Sequence, residues 1–310
     1  MGAAHFSLAK LLRRDRFQVG RLTEVGLVST HSTSSLVTDS AAAATAYATG
    51  IKTANGFVGI GPDRRHHPTV LEVAERRGRA TGLVTTAAFG DASPAAFAAH
   101  HDDRKDRRAL ARQIAQSGAD LLISTGLESF GDDLPPLETV AAIGGFQAVR
   151  TIDQLRAAGD APVLAALRSG EDDGDSPDAS LPMLAGWALE HLARDPDGFF
   201  LFVEQEGTDT ASHHNACGHL QAAASSFDET VGVVLDFAEK RGDVLVVVAG
   251  DHETGGLQLT GTPDQIECRW ATDGHTGGAV PLFARGPGAS RFATYLDNAE
   301  VGKALLDLLE

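Results

Sequence analysis

The sequence predicts an α/β fold, a three-layer α/β/α sandwich around a mostly parallel central sheet. Several short runs are almost continuously apolar or β-branched, as parallel strands covered by helices on both faces should be. Segments with helical periodicity lie between these runs, and such alternation is typical of layered α/β proteins. The chain has 310 residues, of which 43% are hydrophobic, which is enough for one domain with a sizeable core.

The apolar runs that predict strands are bounded by Gly, Asp or Pro and fall at Gly82–Thr86, Asp120–Ser124, Phe199–Glu204, Val244–Ala249 and Val280–Ala284. The predicted helices are an amphipathic one within Met1–Phe17, followed by Val70–Arg77, Lys105–Gln116, Leu181–Ala193, Leu220–Lys240 and Tyr295–Leu309. An acidic segment rich in turn formers, Ser169–Ser180, is predicted to be a solvated loop. A calcium site there is less favoured because the EF-hand spacing is absent. Since predicted strands lie on both sides of this loop, we expect residues 1–310 to form one domain.

Charge and hydropathy exclude several classes of function. A formal net charge of -16 argues against a nucleic-acid partner, whose phosphates attract Lys and Arg. A small phosphorylated substrate is compatible with it, because bound metal ions reverse the local sign. No run approaches the roughly 18–20 apolar residues of a membrane span. Lys10, Arg13 and Arg14 interrupt the N-terminal segment, which therefore does not resemble a signal peptide. The only two cysteines, Cys217 and Cys268, leave both their pairing and the compartment open.

Polar groups are concentrated just after the predicted strands, where functional groups collect in open α/β sheets. Asp209 and His213 follow the strand that ends at Glu204 and are four residues apart, so on a helix they share a face and can hold one metal ion. The adjacent pair Asp251-His252 follows the next strand. Each segment taken alone is explained as well by solvated or structural polar residues.

Earlier segments add oxygen donors and a cation. Asp91 and Ser93 suit a hard cation such as magnesium, and Arg104 could clamp phosphate oxygens with two N–H groups. The alanine-rich run that begins at Asp39-Ser40 predicts a helix with one of these two residues as its N-cap. A serine there lies where backbone N–H groups and the helix dipole favour phosphate.

Together these segments are far more specific than any one alone. They are TDSAAAATAYATGIKT (38–53), DASPAAFAAHHDDRK (91–105), VEQEGTDTASHHN (203–215), AGDHETGGL (249–257) and GHTGG (274–278). In these motifs and in their order the chain closely resembles the alkaline phosphatase family. The resemblance implies metal-dependent hydrolysis of small phosphate monoesters, with release of inorganic phosphate. It also implies a periplasmic or secreted location and a possible homodimer, although this chain shows no signal peptide.

The resemblance further implies a role for each matching residue. Ser40 is then the nucleophile that forms a phosphoserine, and Arg104 is the phosphate clamp. Two zinc ions and one magnesium ion are expected per chain. The first zinc would be held by Asp209, His213 and His275, and the second by Asp251 and His252. Magnesium would be held by Glu204 and Ser93, with Asp91 supporting its waters.

The sequence departs from the family pattern in two places. Family members normally begin with a strand that ends in Gly-Asp-Gly-Met-Gly, whose aspartate bridges the second zinc and magnesium, whereas this sequence matches only from Met1-Gly2. We therefore expect a sheet without its first strand. Two explanations compete: a methionine inside the motif has been taken as the start of the gene, or the chain is naturally short and catalytically impaired. We favour the first. Only 22 residues separate His252 from His275, so the family's crown insertion is expected to be reduced to about residues 253–274.

Two other functions remain open at this point. A phosphodiesterase of the same superfamily is one alternative, and the DSAAAATA helix counts against it. A non-catalytic or impaired metal- and phosphate-binding protein is the other, motivated by the absent aspartate. Turnover of p-nitrophenyl phosphate would separate these functions.

Overall fold

The helices and strands are defined here from a computed structural model, which describes residues 1–131, 133–168 and 179–309. The helices are α1 (Ala3–Arg13), α2 (Ser40–Thr49), α3 (Val70–Arg76), α4 (Ala92–Ala98), α5 (Arg107–Ala115), α6 (Leu137–Gly144), α7 (Ile152–Arg156), α8 (Leu181–Leu192), α9 (Gly207–His213), α10 (Cys217–Arg241) and α11 (Asn298–Leu309). The strands are β1 (Glu24–Ser29), β2 (Ala80–Thr85), β3 (Leu121–Ser124), β4 (Gln147–Val149), β5 (Val163–Ala166), β6 (Phe199–Glu204), β7 (Val246–Ala249), β8 (Glu253–Thr254), β9 (Gln258–Thr262), β10 (Gln265–Arg269), β11 (His275–Thr276), β12 (Val280–Arg285) and β13 (Tyr295–Asp297).

The larger sheet is parallel throughout, in the order β4-β5-β3-β2-β6. Every residue of β2, β3 and β5 is buried, which explains their continuous apolar runs. One apolar cluster joins this sheet to α2, α4, α5 and α6, and a second joins it to α7 and α8. Helices therefore cover both faces, and the predicted three-layer α/β arrangement with a mostly parallel sheet is confirmed.

The smaller sheet, β13-β1-β12-β7, is mixed. β1 pairs parallel with β13 but antiparallel with β12, and β12 pairs antiparallel with β7. The expectation that the runs at 244–249 and 280–284 form parallel strands is therefore wrong. Parallel neighbours need a crossover connection, usually a helix, whereas the chain between β7 and β12 forms only the short strand pairs β9–β10 and β8–β11.

The sheet system is broken between β6 and β7. In the described part of the chain these two edge strands do not pair with each other. All six residues of β6 are only half-buried, as befits a strand that lacks a neighbour on one side. Both edge strands lead directly into candidate site residues, because Glu204 ends β6 and Asp251 follows β7 after a single glycine.

Several predicted boundaries shift. The last predicted helix begins instead with strand β13, and the long helix predicted from Leu220 starts earlier, at Cys217. The acidic loop predicted at 169–180 lies almost entirely outside the described residues. Among the described helices, none combines the length and apolarity needed to cross a bilayer. The single-domain organisation with a reduced insertion at 253–274 stays a prediction.

His100 braces the loop that leads to Arg104. Its Nε2 lies 2.9 Å from a Glu72 carboxylate oxygen, and its Nδ1 donates to the Gly59 carbonyl at 2.5 Å. Burial lowers the pKa of His100, but these hydrogen bonds outweigh it and the net shift is upward. Burial likewise raises the pKa of Glu72, but hydrogen bonds from His100 and Thr69 outweigh it and the net shift is downward.

These opposite shifts predict a pH-dependent contribution to stability. A raised histidine pKa stabilises the fold below its ordinary value of 6.5 and the effect is lost as pH rises through the raised value. The lowered Glu72 pKa stabilises the fold above about 4.5 and the effect is lost as pH falls through the lowered value. We expect His100→Gln to lower the free energy of unfolding by about 1 kcal/mol near pH 5.5 and by clearly less near pH 8.5. Urea titrations at both pH values test this, with exposed His219→Gln as the control; an equal loss at both would show that the ion pair contributes nothing.

Candidate active site

Ser40 is the first residue of α2, and Asp39 is the N-cap. The Asp39 Oδ1 accepts a hydrogen bond from the Ala42 N–H at 3.0 Å. Helix α2 is almost entirely buried small residues, and its Tyr47 hydroxyl donates to the Gly250 carbonyl at 3.0 Å. This bond links α2 to the glycine that follows β7, directly before Asp251.

The Ser40 hydroxyl faces His252. Ser40 Oγ lies 3.1 Å from His252 Nε2, which is itself 3.0 Å from an Asp251 carboxylate oxygen. Thr254 Oγ1 donates its proton to Asp209, so it must accept from His252 Nδ1. His252 Nε2 then faces the Asp251 carboxylate, and this contact is favourable only with a proton on Nε2 or a cation between the two groups.

Asp251 is ionised in this environment. Burial alone would raise its pKa, but the adjacent charge of His252 and its hydrogen bond outweigh burial and hold the pKa at about 2. His252 is almost completely buried, with 1% of its surface exposed. A half-buried carboxylate and a buried imidazole nitrogen next to a serine hydroxyl fit a zinc ion.

Asp209, His213 and His275 form a second group of ligands. One donor atom from each lies within 4.8 Å of the others. Both imidazoles donate from Nδ1 to a backbone carbonyl. His213 donates to the Asp273 carbonyl at 2.6 Å, and His275 donates to the Thr38 carbonyl at 2.9 Å. Their Nε2 atoms lie 3.1 Å apart, so two lone pairs meet beside a carboxylate. These residues therefore also fit a zinc ion.

The titration of this group agrees with that geometry. Burial would raise the pKa of Asp209, but the hydrogen bond with His275, the nearby charge of His252 and the Thr254 hydroxyl hold it far below its usual range. Burial would lower the pKa of His275, but its bonds to Asp209 and the Thr38 carbonyl outweigh burial and raise it. Without a metal ion, a proton held between Asp209 and His275 takes the cation's place.

Glu204 lies at the end of β6 with two hydroxyls around it. Thr85 donates to its carboxylate, and Ser93 is a second hydrogen-bond partner. Burial, helped by the charges of Asp91 and Asp251, raises the pKa of Glu204 to about 8 against the lowering effect of both hydroxyls. The raised pKa shows that the ionised carboxylate lacks a nearby positive charge. With oxygen atoms around it, this carboxylate fits a hard cation such as magnesium.

Arg104 lies between two carboxylates. Its Nη1 is 3.3 Å from Asp39 Oδ2, and its Nη2 is 3.4 Å from Asp91 Oδ1. Asp39 Oδ2 also accepts from the Gly56 N–H at 2.9 Å, so Asp39 both caps α2 and holds the guanidinium beside it. The structure thus places Arg104 near the helix terminus that carries Ser40.

All ten residues singled out from the sequence lie in this region, but the motifs did not reveal the groups that orient them. These are Thr254, Thr85, the carbonyls of Thr38 and Asp273, and buried His5, whose Nε2 donates to Ser212 Oγ at 3.0 Å. Ser212 in turn donates to the Thr208 carbonyl, which braces α9 next to His213. Of these groups, Thr254 could have been found from the sequence, since it lies in the AGDHETGGL segment two residues after His252.

The two cysteines form a disulfide. Cys217 at the start of α10 is bonded to Cys268 on β10. Cys217 follows His213 by four residues and Cys268 precedes His275 by seven. The bond therefore ties together the two chain segments that carry these histidines.

Comparison with known proteins identifies the family of this chain. The model of the alkaline phosphatase family matches residues 7–127 and 168–267, more than half of the chain. Alkaline phosphatase 3 of Bacillus subtilis is 28% identical over 88% of this chain and 77% of its own length. Streptomycin-6-phosphate phosphatase of Streptomyces griseus is 32% identical over 86% of this chain and 76% of its own length.

Solved structures show the same similarity over the whole chain. The alkaline phosphatase of the Antarctic bacterium TAB5 superposes with a TM-score of 0.90 at 28% identity, covering 100% of this chain and 95% of that one. A mutant of the TAB5 enzyme, solved with magnesium bound in its M3 site, gives a TM-score of 0.91 at 26% identity and covers 100% and 94% of the two chains.

Proposed function

Since this chain belongs to the alkaline phosphatase family and is a phosphomonoester hydrolase, we propose that it works through a phosphoserine intermediate on Ser40 and depends on two zinc ions and one magnesium ion. The observation that carries the proposal is the position of the Ser40 hydroxyl. It lies at the N-terminus of α2, 3.1 Å from His252 Nε2. A serine hydroxyl is a weak nucleophile until a base removes its proton or a bound cation lowers its pKa, and the His252 imidazole and the Asp251 carboxylate beside Ser40 could serve as such a base or hold such a cation.

The metal ions would be held by residues whose donor atoms converge. Asp209, His213 and His275 would hold one zinc, Asp251 and His252 a second zinc, and Glu204 and Ser93 the magnesium, with Asp91 nearby. When bound, these ions supply positive charge that lowers the pKa of the Ser40 hydroxyl and stabilises the entering and leaving oxygens.

The protein's own groups carry the two transfers. The Ser40 Oγ attacks the phosphorus and forms the Oγ–P bond while the bond from phosphorus to the ester oxygen breaks; the proton that Ser40 loses is balanced by the one that the ester oxygen gains, so an alcohol leaves. Water then attacks the phosphorus from the opposite side and the Oγ–P bond breaks; one proton of the water ends on Ser40 Oγ, and the remaining hydroxyl leaves as part of inorganic phosphate. Arg104 donates N–H groups to the phosphate oxygens, and the N-terminus of α2 adds its partial positive charge. Such transition states need positioning and charge neutralisation above all.

Location and partners are proposed on narrower grounds. The Cys217–Cys268 disulfide supports an oxidising compartment, such as the periplasm or the extracellular space. Small phosphate monoesters and inorganic phosphate are the proposed ligands. A homodimer remains a prediction.

Turnover of p-nitrophenyl phosphate tests the proposal. The rate should fall to background after chelation, and zinc with magnesium should restore it while either ion alone restores less. Hydrolysis of bis-p-nitrophenyl phosphate at a higher rate would favour the phosphodiesterase alternative. Zinc and phosphate binding without turnover of either ester would favour the non-catalytic one.

A further inference from the structure

The Asp91 carboxylate is shared by two arginines. Its Oδ2 accepts from Arg107 Nη2 at 3.1 Å, while its Oδ1 lies 3.4 Å from Arg104 Nη2. The same Oδ1 also accepts from the Ala92 N–H at 2.6 Å, since Asp91 is the N-cap of α4. Of the two guanidinium groups, Arg107 is therefore the closer partner of Asp91.

Arg107 occupies a position that local helix energetics disfavour. It is the first residue of α5, where the partial positive charge of the helix N-terminus repels a cation. Its side chain is 40% exposed, so burial does not fix it there. Among the described residues Arg107 forms an ion pair with Asp91, and this contact offsets the unfavourable position.

The sharing affects how firmly Arg104 is held. An arginine and a carboxylate form their strongest contact when two parallel N–H groups meet both oxygens. Arg107 occupies Oδ2, so Arg104 is left with one long contact to Asp91 and one of 3.3 Å to Asp39. A guanidinium held so loosely keeps N–H groups available for another anion.

We propose that Arg107 is a positioning residue for phosphate binding, which keeps Arg104 available for the phosphoryl group by occupying one oxygen of Asp91. This inference rests on the proposed function, in which Arg104 binds the phosphate. Arg107 itself does not contact the substrate. Its removal would let Asp91 turn both oxygens toward Arg104 and hold that side chain away from the phosphate.

The kinetics of Arg107→Gln test this on the metal-loaded protein with p-nitrophenyl phosphate. We expect KM and the inhibition constant of inorganic phosphate to rise about fivefold, which corresponds to about 1 kcal/mol, while kcat and zinc content change little. Arg112→Gln, an exposed arginine on the same helix, should leave both constants unchanged. Arg107→Lys keeps a charge near Asp91 and should recover part of the loss, which also gives a readout if the glutamine variant folds poorly.

A double-mutant cycle shows whether Arg107 acts through Asp91. In an Asp91→Asn background, Arg107→Gln should no longer raise KM or the phosphate inhibition constant. An undiminished effect in that background would overturn the inference, as would an Arg107→Gln variant that behaves like Arg112→Gln. If the unmutated protein binds zinc but hydrolyses no ester, the proposed function fails instead.

Discussion

Ser40→Ala should lower turnover of p-nitrophenyl phosphate by about 10³-fold or more and abolish the covalent phosphoenzyme. The variant should fold normally. Asp39, not Ser40, caps α2, and alanine is a good residue inside a helix, so we expect the free energy of unfolding to change by less than about 0.5 kcal/mol. Loss of activity with unchanged stability would show that Ser40 acts in the reaction and is not needed for folding.

The phosphoenzyme can be located directly. Protein incubated with inorganic phosphate and quenched in acid should carry the phosphoryl group on the tryptic peptide that spans residues 22–52. Because this peptide holds several serines and threonines, fragmentation must assign the site, and Ser35→Ala provides a control from the same peptide. Ser35→Ala should label normally. Label on any residue other than Ser40, or full labelling of Ser40→Ala, would refute the proposed nucleophile.

The core of the fold was predictable because its central strands can be recognised from their own residues. Each residue of β2 and β3 is buried, so the apolar run is continuous and readable without knowledge of its neighbours. Strand β1 was missed for the opposite reason. Its Val25 and Leu27 are exposed and Gly26 lies close to the Phe292 carbonyl, so the segment shows no buried run and is a strand only through its pairing with β12 and β13.

The candidate site was predictable as a set of side chains but not as a geometry. Asp251 and His252 stand directly after an apolar run, a position that is visible in the sequence. Their orientation depends on distant partners, such as the Thr38 carbonyl that accepts from His275 across 237 residues. Backbone carbonyls carry no residue-type signal. The same holds for the Cys217–Cys268 bond, since two cysteines alone do not reveal that their chain segments meet.

His213→Ala should remove close to one zinc ion per chain, whereas His214→Ala should remove none. The two histidines are adjacent, which makes the comparison well matched. His213 Nε2 points at His275 Nε2 and Asp209, while His214 is exposed and its Nδ1 donates to the Thr210 carbonyl. Metal analysis after dialysis should show this difference, and turnover should fall by about 10²- to 10³-fold only in His213→Ala. Equal zinc contents in the two variants would contradict the ligand set.

The contact between His213 and His275 predicts that zinc reverses the order of melting temperatures of the parent and His213→Ala proteins. Without metal, the Nε2 atoms of His213 and His275 lie 3.1 Å apart, and because both Nδ1 atoms donate to carbonyls, the two nitrogens repel each other unless one of them carries an additional proton. Removing one imidazole relieves this, so the metal-free His213→Ala protein should melt at the same temperature as the metal-free parent or slightly higher. With zinc the order should reverse, since an ion that binds only the folded state stabilises it by mass action. Melting curves recorded with and without zinc test both expectations. If His213→Ala were less stable than the parent only in the absence of zinc, the imidazole would be a structural contact instead of a zinc ligand.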